Sequence, residues 1–111
     1  MTAGKDAHAI EALIENLQAG DQVVRLHAAT VLGSMADDAE PAVLALVIML
    51  ETGDVQDRRL AALTLGEIGP AASDAIPALL EAILDEDDGV ADLAEAALGL
   101  IDILEDEAEA A

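Results

Sequence analysis

The sequence returns to itself every 33 residues. Asp21, Asp54 and Asp87 keep that interval, as do Ala28, Ala61 and Ala94, then Leu32, Leu65 and Leu98, then Gly33, Gly66 and Gly99. Upstream, Ile10, Leu13, Ile14 and Leu17 match Ile76, Leu79, Leu80 and Ile83 at twice the interval. The stretch between them, "PAVLALVIML", aligns through Pro41 and Pro77. A period of this length marks stacked supersecondary units. Each is too small to bury its apolar face alone, so neighbours share one continuous core.

Each unit reads as two helices. Ile10, Leu13, Ile14 and Leu17 fall at i, i+3, i+4 and i+7, the spacing of one helical face. Pro41 and Pro77 suit a first helical turn, where the missing N–H would have no partner. Short turns rich in Gly and Asp follow ("AGD", "TGD", "EDD"), and Asp21, Asp54 and Asp87 stand where capping carboxylates belong. The expected helices cover 7–19, 22–35, 40–52, 55–69, 73–85 and 88–105. They form three hairpins, near 7–36, 39–69 and 73–105, in one domain over 1–111 with an acidic tail at 106–111.

Composition narrows the interior. Hydrophobic residues make up 54% of the 111, yet Phe, Tyr and Trp are all missing, so the core must be aliphatic. A helical glycine costs about 1 kcal/mol relative to alanine. Retained at 33 and 66, beside the small pairs 28/29 and 61/62, it reads as a requirement for close approach between helices. With no cysteine, disulfides, thiolate metal sites and a cysteine nucleophile are excluded.

The frame D-x-x-V-R-x-x-A-A-x-x-L-G-x-I-G resembles the HEAT repeat, in the short form of phycobilin-lyase-like proteins. Asp21, Val24, Arg25, Ala28, Ala29, Leu32, Gly33 and Met35 fit it, as do Asp54, Arg58, Ala61, Ala62, Leu65, Gly66, Ile68 and Gly69. The third copy keeps Asp87, Val90, Ala94, Leu98, Gly99 and Ile101, but has Ala91 for the arginine and Glu95 for an alanine. The resemblance implies an all-α fold, a right-handed α-solenoid of three HEAT-like helical hairpins. It also implies a non-catalytic protein–protein interaction module or scaffold. The lyase likeness adds an alternative, an accessory subunit of an enzyme. A designed, consensus-like array is a further alternative, against which the irregular loops and broken third copy speak. The resemblance further implies that Asp21, Arg25, Asp54 and Arg58 belong to a structural ladder of ion pairs between repeats.

Charge limits the partner. The formal net charge is −20, with 24 acids against Lys5, Arg25, Arg58 and Arg59. Nucleic acid is excluded, because phosphates need cations and stacked bases need aromatic rings. The same charge opposes anionic membranes. A basic protein partner fits. The acid excess over a single lysine also resembles proteins of salt-loving organisms. The longest apolar run, Pro41 to Leu50, is half the roughly 20 residues a membrane span needs. The start, "MTAGKDAHAI", lacks the apolar stretch of a secretory signal, so a cytoplasmic location is expected.

No catalytic, cofactor or metal site is expected. Ser34, Ser73, Thr30 and Thr64 have no base at a recognisable spacing. His8 and His27 lack further ligands at helical intervals, and "DEDDG" at Asp85 to Gly89 is too short for a calcium loop. An arginine site for an anion is disfavoured, since Arg25 and Arg58 sit among acids. One segment departs from its counterparts. The helix "AVLALVIML" is apolar all round, and Leu46, Met49 and Leu50 share one stripe on it. Their counterparts are Asn16, Ala19 and Gly20, then Ala82, Asp85 and Glu86. The expected consequence is a contact surface, for a protein partner or for a homo-oligomer through this middle helix.

Overall fold

The computed structural model describes residues 2–102. Six α-helices run in order: α1 (Thr2–Asn16), α2 (Gln22–Met35), α3 (Val43–Thr52), α4 (Val55–Ile68), α5 (Ile76–Ala82) and α6 (Asp88–Ile101). Among the described residues there is no strand. The helices pair as α1/α2, α3/α4 and α5/α6, in a slab measuring 40 × 35 × 16 Å. Such a thickness suits two helix layers at the usual axial separation of about 8–10 Å. The second helices α2, α4 and α6 pack on one another more closely than α3 packs on α5. The stack therefore bends with the second helices inside, which makes the chain an α-solenoid of three hairpins.

Local chemistry explains where the second helices begin. The Asp21 carboxylate accepts the Val23 N–H at 2.8 Å, Asp54 that of Asp57 at 2.8 Å, and Asp87 that of Val90 at 2.9 Å. Each satisfies a backbone donor the first turn leaves free. Helix α4 ends at Gly69 with φ 81°, a conformation glycine takes freely. The equivalent residue after α2 is Ala36, at φ 50° and ψ −120°. A non-glycine residue held in such a region stores on the order of 1–3 kcal/mol.

Two outer helices start later than the sequence implies. Tight 3-10 turns, Ala36–Ala42 and Gly69–Ala75, precede α3 and α5. They return the chain across the slab in a few residues, which a 3-10 path with its shorter radius does well. Pro77 takes the expected place in the first turn of α5, whereas Pro41 lies in the 3-10 turn ahead of α3. Helix α6 ends at Ile101 rather than 105, and the acidic tail at 106–111 lies outside the described residues.

The core is aliphatic throughout. Leu32, Leu46, Leu65, Ile68, Leu79 and Val90 are fully buried, and Ala28, Ala29, Ala61 and Ala62 are wholly buried in the same core. A Cβ on Gly66 would stand 3.0 Å from the Ala97 Cα and 3.1 Å from its Cβ, so α4 and α6 touch there backbone to backbone. Gly33 meets something softer, the Glu67 side chain. Gly99 faces open space.

Candidate interaction surface

Three arginines stitch the hairpins together. Arg25 Nε donates to Asp57 Oδ1 at 3.1 Å while its Nη1 donates to the Ala19 carbonyl in its own turn at 2.7 Å. Arg58 repeats the arrangement one unit on, with Nη1 on the Gly53 carbonyl and two nitrogens on Asp85 at 3.0 and 3.2 Å. Arg59 adds a second two-nitrogen grip, on Asp87 at 2.8 and 2.7 Å. Each joins one repeat to the next. Arg25 and Arg58 reach from one repeat to the next, but their partners are not Asp21 and Asp54. Their carboxylates are turned to their own helix starts as caps, and Asp57, Asp85 and Asp87 accept the guanidinium groups instead.

These contacts set the local electrostatics. The Arg59 hydrogen bonds, with the Val90 N–H, hold the Asp87 carboxyl down at about 2. The Arg58 bond and the Asp87 N–H likewise hold Asp85 below the ordinary carboxylate range. Both arginines are pushed up by the same hydrogen bonds. Two carboxylates of the "DEDDG" turn, Asp85 and Asp87, are thus engaged by arginine. Among the described residues there is no group of three or more metal-ligating side chains. His8 and His27 are exposed. Thr30 and Ser34 donate their hydroxyl protons to carbonyls of their own helix.

The inner face carries a shallow groove of about 340 Å³, floored by Val23, Leu26, Leu60, Leu63 and Leu93. Val23 is 71% exposed and Leu26 51%, large values for apolar residues on a rigid scaffold. Leu60 and Leu93 stand one period apart on α4 and α6, whereas Val23, Leu26 and Leu63 have Gln56, Arg59 and Ala96 one period on. Arg59 lines the groove on its way to Asp87, and Gly89 makes room for it. A Cβ at position 89 would come within 2.5 Å of Arg59 Nε. The floor offers contact to apolar side chains and contains no paired nucleophile and base.

The stripe on the middle helix lies elsewhere than expected. Leu46 is 0% exposed, Met49 8% and Leu50 4%, so these three residues point into the core and form no surface. The physical reason is position: α3 packs on α4, and α5 and the two 3-10 turns also lie against it. Homo-oligomerisation through Leu46, Met49 and Leu50 would require taking them out of that core. The excess apolarity of α3 is nonetheless visible at the surface, at Leu44 and Ile48.

Sequence reasoning missed the acids of the ladder. Asp57 occupies the valine position of the D-x-x-V-R frame, held by Val24 and Val90 in the other copies. A lone charge at an apolar frame position was the available signal. The family model for HEAT repeats matches residues 10–109. With this arrangement of hairpins, the chain belongs to the HEAT repeat family, whose repeats serve as protein-interaction scaffolds. No curated protein matches the chain significantly.

Proposed function

We propose that this chain is a non-catalytic adaptor whose inner face, formed by α2, α4 and α6, binds a basic protein. The observation that carries the reading is the exposed apolar floor at Val23, Leu26 and Leu63. A contiguous apolar patch kept on a rigid, ion-paired scaffold is characteristic of a binding surface. Charge selects the partner: Glu67 and Asp92 stand on α4 and α6 near the floor, both exposed, while Arg59 is engaged by Asp87. A cationic rim would meet these acids, and electrostatic steering would speed the encounter. In a high-salt interior the steering is screened and the apolar floor carries the affinity.

The test is capture from native lysate on immobilised protein, read by quantitative mass spectrometry at low and molar NaCl. Wild type should retain a discrete set of basic proteins that Leu26→Ser with Leu63→Ser releases at both salt concentrations. Equal retention by wild type and the double variant would refute the inner face as the binding surface.

A further inference from the structure

A second apolar surface lies on the other side of the slab. Leu44 and Ile48 on α3 are 70% and 47% exposed; Leu80 on α5 and Leu84 in the turn just after it are 52% and 84% exposed. Leu80 and Leu84 stand 36 residues after Leu44 and Ile48, in the alignment that superposes Pro77 on Pro41. Leu44 and Ile48, spaced i, i+4, form one ridge along α3, and Leu84 extends the apolar surface of Leu80 past the end of α5. The two helices are neighbours in the outer layer. Between them lies a hollow lined by Leu50, Glu51, Ala78, Glu81 and Leu84, with Arg58 held by Asp85 at its edge, so apolar side chains and carboxylates share this face.

The head of α3 adds a second, independent feature. A hollow of about 320 Å³ is lined by Pro41, Val43, Leu44 and Val47 together with the acids Glu40 and Asp74. Both acids are exposed, and the three arginines are held by Asp57, Asp85 and Asp87. Apolar walls with two carboxylates fit a side chain with an apolar stem and a cationic head, which is lysine or arginine. Glu51 and Glu81 continue the acidic border along this face, and both are exposed.

We infer that the outer face of α3 and α5 docks a cationic amphipathic helix from a partner protein. Its apolar stripe lies along Leu44, Ile48, Leu80 and Leu84, and a lysine or arginine enters the hollow between Glu40 and Asp74. A second copy of this chain is the wrong occupant, because it brings a net charge of −20 to the same border. The inference shares the interaction-module reading but uses the face opposite the inner groove. The chain would then connect two proteins, one on each side of the slab.

The experiment uses fluorescence anisotropy with a labelled 18-residue helical peptide of leucine and lysine, and a leucine–glutamate peptide as its control. The full chain should bind the lysine peptide and not the glutamate one. Leu44→Ser with Leu84→Ser should weaken binding at least tenfold. Glu40→Gln with Asp74→Asn should weaken it about threefold to tenfold and flatten its salt dependence. The inner-face pair Leu26→Ser with Leu63→Ser should stay within twofold of wild type. Circular dichroism and melting of every variant check that the fold persists, as substitutions at exposed positions allow. The inference is overturned if wild type ignores the lysine peptide, if the outer variants bind as wild type does, or if the inner pair weakens binding as much. It is also overturned if sizing shows a wild-type dimer that the outer variants dissociate. Failure here leaves the inner-face reading standing, because that reading is tested by capture on a different pair of substitutions.

Discussion

Between α2 and α4 a single arginine reaches one oxygen of Asp57, whereas between α4 and α6 Arg58 and Arg59 each grip a carboxylate with two nitrogens. The contrast extends into the packing. At the first seam Gly33 lies under the Glu67 side chain, which can swing aside; at the second, Gly66 lies against the Ala97 backbone, which cannot. The same Leu-Gly step in two copies thus answers to two different neighbours. A repeat motif fixes the path of the chain, and the residues outside the motif decide how firmly each joint is held.

The largest effect should come from filling the tighter seam. Gly66→Val puts branched bulk against the Ala97 backbone, and overpacking of this kind costs about 1–3 kcal/mol. Thermal unfolding should register that loss. Gly33→Ala should be close to neutral, as a helix gain of up to about 1 kcal/mol offsets the displacement of a flexible side chain. Gly99→Ala, facing open space, should raise stability by a similar amount. Equal losses at 33 and 66 would erase the distinction between the seams.

Next in size is the ladder itself. Arg58→Met with Arg59→Met should lower the melting temperature more than Arg25→Met does. Hydrogen exchange should show the extra loss in α6, because both pairs end on the turn that starts it. Molar salt should shrink the difference, since exposed ion pairs are screened. A larger drop for Arg25→Met would reverse the ranking of the seams.

The smallest effect is confined to acid. Asp87 titrates at about 2 in the folded chain, below its ordinary value of 3.8. A carboxyl with a depressed folded pKa contributes stability that is full above the unfolded value and fades as pH falls through the folded one. The stability gap between wild type and Asp87→Asn should therefore be constant from pH 7 to about 5 and should close as pH falls from about 4 to 2. A gap that persists at pH 1.5 would mean Asp87 acts only as a neutral cap.

Much of this was legible from spacing. The 33-residue period gave the hairpins, and Asp21, Asp54 and Asp87 gave the starts of α2, α4 and α6, because capping depends on residues one turn away. What spacing could not reveal was direction. The apolar circumference of α3 was plain, but whether Leu46 or Leu44 faced water depends on which side the neighbouring hairpins cover. Asp57 was likewise unreadable as a rung, since its partner Arg25 lies 32 residues away in sequence. The delayed start of α3 escaped because Pro41 is as welcome in a 3-10 turn as in a first α-turn.

The aliphatic interior has an optical consequence. With no aromatic ring anywhere in the chain, folding leaves no near-ultraviolet signature, and intrinsic fluorescence is nil. One tryptophan introduced at a surface position would therefore be the sole emitter in the molecule. Leu84→Trp would report on the outer face and Leu26→Trp on the inner floor, each without background from the core. The two faces can thus be watched separately in the same titration, using two otherwise identical proteins.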